Sequence, residues 1–440
     1  MMKPRGLQLR LAAAVRRASL TATVLACLLL APAPASAANR LIVRVLGGLP
    51  VIHTLCGLLG CTVQYGLGDP LGQVFLLNTP DILSPSIFLT IPAILDVELD
   101  RQGQTMDAVS QGPVPSALYD ATPVNYFGTT VRNGYVDQPA TRIVRLSSAQ
   151  DTFHAAGSGI VAVIDTGVDA SHPVLANVLL PGYDFTRNRN GGDEKGDLGQ
   201  STTALVDQSS GAVVSQSTTA LVDGGTAAVL DQQQYAAFGH GTMVAGIVHL
   251  VAPAAGILPL KAFQADGSGY ASDVIRAIYF AVRNNANVLN MSFSFAAPSQ
   301  ELNAAITHAN RNGAIAVAAA GNDGRQMLVY PAAYQSMVMG VASTSNNDTL
   351  STFSNYGPNL VWVAAPGEGV VTLYPYGAYA ATWGTSFSTP FVSGTAALLM
   401  SLEPNYTQAQ IAQAVAHGQY LSTASGNGRL DVYQALQSRQ

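Results

Sequence analysis

A continuous apolar run, Ile160-Val161-Ala162-Val163-Ile164, carries no polar position to mark a wet face. It predicts a strand buried on both sides, as in the middle of a parallel sheet. The same grammar repeats downstream. Strand-like runs at 256–263, 288–293, 314–319, 338–343 and 360–364 alternate with helical segments. The helices are predicted at 242–251, at 272–286 with Ile275, Ile278, Tyr279 and Val282 on one face, and at 298–312, closed by Gly313. A last apolar helix runs through Phe391, Val392 and Ala396 to Leu399, with Ser386 at its N-terminal end. Such alternation predicts an α/β fold, a doubly wound parallel sheet with helices on both faces. Sites in these sheets lie beyond the carboxyl ends of the strands.

The N-terminal third reads differently. Residues 40–45 and 73–77 are strand-like, Ile94-Leu95-Asp96-Val97-Glu98-Leu99-Asp100 alternates apolar and polar positions, and a helix is expected near 50–59. These make a small α+β unit. Residues 101–145 turn polar and irregular, and read as a linker or a loosely attached arm. Within the later part, Gln200–Asp207 recurs as Gln216–Asp223, with a weaker copy at Thr226–Asp231. The repeats predict short hairpins inserted between Asp165 and His240, as a flap or a tolerated surface insertion over 198–234.

Residues 1–37 have the layout of an export signal: Lys3, Arg5, Arg10, Arg16 and Arg17, then an apolar core from Leu20 to Leu30, then Ala35-Ser36-Ala37. The core is short for a membrane span. The chain has 48% hydrophobic and 11% charged residues, a packed globular composition. Its formal charge is −5, and removal of the five basic residues of the signal leaves −10. That balance argues against nucleic acid or an anionic membrane as partner. The expected product is a secreted protein, extracellular or periplasmic, with no membrane association after signal removal. Cys27 leaves with the signal; Cys56 and Cys61 form a local disulfide or stay as two thiols.

Three segments carry candidate chemistry: Asp165-Thr166-Gly167, His240-Gly241-Thr242 and Gly384-Thr385-Ser386. A serine hydroxyl needs a base to take its proton, and an imidazole needs a carboxylate to hold its tautomer. Ser386 alone is equally a helix N-cap. Asn322, in Gly321-Asn322-Asp323-Gly324, is either a turn residue or an amide donor to a developing oxyanion. The chain order Asp, His, Ser differs from the trypsin and α/β-hydrolase orders, and Ser388 replaces the second glycine of a Gly-x-Ser-x-Gly elbow.

With these blocks, together with Val161–Asp169, Ser171-His172-Pro173, Gly239–Gly246, Asn290–Ser292, Ala318–Gly324 and Gly384–Gly394, residues 150–440 resemble the subtilisin-family (S8) serine proteases. The resemblance implies a subtilisin-like catalytic domain at 146–440, preceded by a propeptide at 38–104 that acts as intramolecular chaperone and inhibitor, with 105–145 as linker or arm. It implies Asp165 as orienting carboxylate, His240 as general base, Ser386 as nucleophile and Asn322 in the oxyanion hole. It places Gly267, Ser268, Gly269, Ser292, Phe293 and Ser294 along an extended substrate. The implied activity is a self-processing secreted endopeptidase acting on proteins or peptides, monomeric, with no cofactor. Alternatives are an inactive binding protein on the same fold and an esterase-type hydrolase. Three departures from the pattern stand out. Ser294 and Phe295 replace glycines, which points to a reshaped primary specificity pocket. Met243 replaces a histidine, expected to alter packing only. Val174 replaces an aspartate that commonly binds calcium, so no metal is expected. His53, His154, His249, His308 and His417 match no motif and are read as structural.

Overall fold

The computed structural model describes residues 39–105, 114–198, 214–216, 219–221 and 233–439. The signal segment therefore lies outside the described residues, as does most of the repeat insertion.

Six parallel strands form the centre, in the order Gly256–Lys261, Ile160–Asp165, Val288–Met291, Ile315–Ala319, Val338–Thr344, Val363–Pro366. Two short strands, Tyr183–Asp184 and Arg189–Asn190, extend one edge. The apolar run of the first strand divides by parity. Val161 and Val163 join the core containing helices His240–Val251 and Thr385–Leu402, while Ala162 and Ile164 join the core containing Ala271–Arg283 and Gln300–Arg311. A strand buried on both faces has no position to spare for a polar residue, which is why its pattern lacks alternation. Among the described residues no helix is long and apolar enough to cross a membrane.

The N-terminal unit is a four-stranded antiparallel sheet, ordered Thr62–Gly66, Val74–Thr79, Asn39–Val45, Ile94–Leu99. Leu41, Val43 and Val45 pack with Ile52 and Cys56 of helix Leu49–Leu59 in a separate small core. Ile42, Val74 and Leu76 point the other way, into the core of helices Ala271–Arg283 and Gln300–Arg311. Cys56 and Cys61 are joined as a disulfide.

Polar contacts complete this docking. Arg44 forks onto Glu301 at 2.8 and 2.5 Å. Asp100 accepts from the backbone and hydroxyl of Ser272, both at 2.8 Å, and pairs with Arg40 at 2.7 Å. Glu98 accepts from the Ser299 hydroxyl at 2.5 Å and the Gln300 N–H at 2.9 Å. Two carboxylates thus meet two helix N-termini, where unpaired N–H groups and the helix dipole favour negative charge.

Residues 114–145 differ from the expected loose arm. Pro123–Tyr126 and Thr129–Arg132 form a hairpin, followed by short helices Asn133–Val136 and Pro139–Ile143. Leu118, Tyr126, Val131 and Tyr135 are buried in the main core. The hydroxyls of Tyr126 and Tyr135 donate to the carbonyls of Leu250 and Gly246 at 2.5 and 2.6 Å. Sparse aromatics supply this anchoring, and a window average dominated by Gly, Pro and polar residues hides it. Of the repeats, Val214–Gln216 pairs with Thr219–Leu221, which adds to strand Ala378–Trp383. This agrees with a hairpin there.

Glu301 is almost fully buried, so loss of its partner strands a carboxylate away from water. Arg44→Ala should lower the stability of the full chain by about 3 kcal/mol in denaturant titrations, and Arg44→Lys by less, because lysine restores the charge but not the fork.

Candidate active site

Asp165 is the last residue of its strand and His240 the first of its helix. Their contact is short: His240 Nδ1 lies 2.6 Å from Asp165 Oδ1, and neither residue is exposed. The Thr166 N–H donates to the same carboxylate oxygen at 2.7 Å. Two glycines allow the two segments to meet. A Cβ on Gly241 would fall 1.9 Å from the Gly167 carbonyl oxygen, and Gly167 itself has φ +105°. Any other residue at Gly241 would push the histidine helix off the aspartate strand.

Ser386 stands in the first turn of helix Thr385–Leu402 and is fully buried. Pro390, four residues later, has no N–H to give the Ser386 carbonyl. The Ser292 hydroxyl replaces it, donating to that carbonyl at 2.8 Å. In return the Ser386 hydroxyl donates to the Ser292 carbonyl at 3.1 Å. Asn290 supports Ser292, donating to its hydroxyl at 3.0 Å while accepting from Ser393 at 2.8 Å. The helix-breaking residue and the Asn290–Ser292 segment thus form one device that fixes the serine turn. Phe387 lies against His240, with ring centroids 5.2 Å apart, which brings histidine and serine segments together.

Asn322 reaches the same turn. Its amide oxygen accepts from the Thr385 N–H and hydroxyl, each at 2.9 Å. The Thr385 hydroxyl also accepts from the Gly321 N–H at 3.1 Å. The carbonyl end of the amide is committed to Thr385, which sets the orientation of the NH2 end, a hydrogen-bond donor.

Gly267, Ser268 and Gly269 lie on one side of strand Gln102–Thr105, and Phe293 and Ser294 on the other, all antiparallel. The Thr105 N–H donates to the Gly267 carbonyl at 2.9 Å. Phe295 lies against Gly103 of this strand, two residues before its end at Thr105. Met243 and Val174 are both buried, the latter supplying no carboxylate.

Glu194 is the residue that motif reading misses. It is completely buried behind the aspartate–histidine pair. It accepts from the Gly239 N–H at 2.9 Å and the Thr166 hydroxyl at 3.2 Å, and contacts the Thr242 hydroxyl. One carboxyl group therefore ties both motif segments together. Burial pushes it up to about 8, against the pull of Thr242 and nearby Lys261. Lys261, itself buried, donates to the Thr166 carbonyl, Asp197 and the Phe263 carbonyl, each at 2.7 Å. Nothing in the polar stretch Gly191-Gly192-Asp193-Glu194-Lys195 signals burial. Among the unmatched histidines, His249 is buried against Tyr135, 3.0 Å from its hydroxyl, and is pushed down to about 4 by desolvation.

The model of the subtilase family matches residues 157–433. A thermostable alkaline protease of Halalkalibacterium halodurans is 39% identical over 211 residues, covering 45% of this chain and 58% of that protein. Thermitase of Thermoactinomyces vulgaris is 32% identical over 296 residues, covering 64% of this chain and 90% of thermitase. Among solved structures, fervidolysin from Fervidobacterium pennivorans, a keratinolytic enzyme related to subtilisin, is similar at TM-score 0.68 and 20% identity, over 91% of this chain and 61% of that one. At that identity the likeness speaks to the fold.

Glu194→Ala removes the acceptor of buried donors and should cost about 3 kcal/mol or more. Glu194→Gln keeps the acceptor oxygen. A carboxyl raised to about 8 contributes stability that is full below its ordinary range and is lost as pH rises through about 8. Denaturant titrations should therefore show Glu194→Gln gaining on the wild type between about pH 6 and about pH 9.

Proposed function

The chain belongs to the subtilase family, and on that basis we propose that it is an exported serine endopeptidase, made as a precursor that removes its own N-terminal unit. The observation that carries this reading is the strand Gln102–Thr105. It lies between Ser268–Tyr270 and Phe293–Ser294 and pairs with both through main-chain register. An extended chain held by two edges and pointing toward a serine–histidine–aspartate site is how a protease presents a peptide bond.

In this reading Asp165 fixes the Nδ1 proton of His240, which leaves Nε2 as the base. The Ser386 oxygen attacks the carbonyl carbon of the bound chain while its proton passes to His240. His240 then gives that proton to the departing amine nitrogen, and the C–N bond breaks to leave an ester on Ser386. Water repeats the cycle, losing a proton to His240 and releasing the acid and the free serine. The developing oxyanion takes hydrogen bonds from the Ser386 N–H and the Asn322 amide, both set before the reaction starts. No step calls for a metal or other cofactor. The substrates are proteins or peptides, the detached N-terminal unit is an intramolecular inhibitor, and the working form is a monomer.

Residues 1–37 supply the export signal. The cut that frees the catalytic part is assigned to the chain just downstream of the docked strand Gln102–Thr105. The N-terminal unit is suited to a temporary role. Among the described residues, eight of the twelve exposed large hydrophobics lie in it, Leu58 and Leu71 among the most exposed. A unit this small gains stability from a partner.

Ser386→Ala, produced as the full chain in a host lacking other proteases, should remain unprocessed and should not react with a serine-directed phosphonate. Normal processing of that variant would overturn the reading. Wild-type material should give a mature N-terminus just downstream of Thr105 by mass spectrometry. Release should also depend on pH. Burial at the interface pushes Glu98 up to about 7, so docking takes up a proton, is full below the ordinary carboxylate range and weakens as pH rises through about 7. Co-elution of the two cut pieces should fall between about pH 6 and about pH 8, and Glu98→Gln should flatten that dependence.

A further inference from the structure

Along the docked strand, Gly103 and Thr105 are buried while Gln102 and Gln104 are exposed, the alternation expected of a strand lying in a cleft. Gly103 is the position without a side chain. A Cβ built there would lie 2.6 Å from Phe295 Cε1, 2.8 Å from Phe295 Cδ1 and 2.8 Å from the Ser294 carbonyl oxygen. The backbone of Gly103 lies outside the left-handed region, so its conformation is open to any residue. Space alone demands glycine.

The obstruction is held firmly. Phe295 is 3% exposed and packs edge-on against Phe293, with centroids 5.9 Å apart. Its backbone is tied to Tyr330 by hydrogen bonds of 2.7 and 2.9 Å in both directions. The ring fills the place where a side chain of the bound strand would go, and its backbone cannot slide away.

The register locates this place relative to the chemistry. Thr105 stands opposite Phe293 and Gln104 opposite Ser294. A bound chain continuing one residue past the Thr105 position comes level with Ser292, whose carbonyl accepts the Ser386 hydroxyl. The residue at that level presents its carbonyl to Ser386. Counting back from it, the Gly103 position is the fourth residue upstream of the cleaved bond.

We propose that Phe295 closes the subsite for the fourth upstream residue, so that this protein cleaves extended chains carrying glycine there and rejects those with larger side chains. The proposal rests on the endopeptidase reading and on the docked strand tracing the substrate path. Substrates of this class are glycine-containing segments without secondary structure. The protein's own precursor satisfies the rule with Gly103.

The test uses the mature protein obtained from the full chain and a peptide series that differs only at the fourth upstream residue: Gly, Ala, Val, Leu or Phe. The expected kcat/KM for Gly exceeds that for Ala by about tenfold and that for Leu or Phe by about a hundredfold. In Phe295→Ala the Gly-to-Val ratio should collapse toward unity. A second arm avoids reliance on that variant folding. Gly103→Leu in the full chain should slow self-processing at least about tenfold, and Phe295→Gly added to it should restore processing. Equal turnover of the Gly and Leu peptides by the wild type, or unimpaired processing of Gly103→Leu, would overturn the inference while leaving the endopeptidase reading intact. Hydrolysis of none of the peptides by protein that has also failed to process would overturn that reading, and the inference with it.

Discussion

A carboxylate and an imidazole 2.6 Å apart, with neither residue exposed, must take all their solvation from protein atoms. Such a pair is costly unless its remaining hydrogen-bonding capacity is met and its geometry held. The surroundings of Asp165 and His240 answer that cost. The strand end brings the Thr166 N–H to Asp165, two glycines let helix and strand close up, and Glu194 braces both segments from behind. Charging Glu194 as well would place a second anion in the same buried corner. The rise to about 8 follows chiefly from its own burial and is reinforced by Asp165 and Asp169. A neutral carboxyl there can brace the pair without competing with Asp165 for the imidazole's charge.

The serine turn is fixed by a different means. Pro390 deprives the Ser386 carbonyl of a helical partner, and Ser292, between strands Val288–Met291 and Phe293–Ser294, supplies one. The exchange couples the helix that carries Ser386 to the edge that pairs with strand Gln102–Thr105. On the proposed reading, the nucleophile and the substrate-binding edge cannot move independently, so the bound chain and the attacking oxygen share one frame of reference.

Much of this was legible in the sequence because it is local. Val161–Asp165, the glycines around Asp165 and His240, and the start of the Ser386 helix each state their backbone geometry in a few residues. The parallel sheet followed from apolar runs with no alternation. What escaped detection depends on distant partners. Glu194 is buried only because Thr166, Gly239 and Thr242 surround it, and a Gly-rich polar stretch gives no sign of that. Strand Gln102–Thr105 carries no apolar period, since its partners bind its backbone and leave two glutamines in solvent. Tyr126 and Tyr135 anchor a segment whose average composition suggests a loop. Phe295 was visible as a departure, but which part of the cleft it enters is set by register across strands, which no single segment encodes.

The N-terminal unit joins these threads through the way it is held. Its sheet presents Ile42, Val74 and Leu76 to the two helices, while Glu98, Asp100 and Arg44 provide the polar fastening. All of these groups of the unit stand upstream of Thr105 in the chain. On the proposed reading, cutting the chain downstream of Thr105 therefore leaves every one of them in place, and the strand stays paired with both edges after the bond is broken. Cleavage and release become separate events with separate determinants. Cleavage answers to Ser386, His240 and the fit of Gly103 beside Phe295. Release answers to carboxyl groups at helix ends, whose charge depends on pH and whose removal from Ser299 and Ser272 returns them to water. A precursor built this way is inhibited by its own product until the fastening, rather than the active site, gives way.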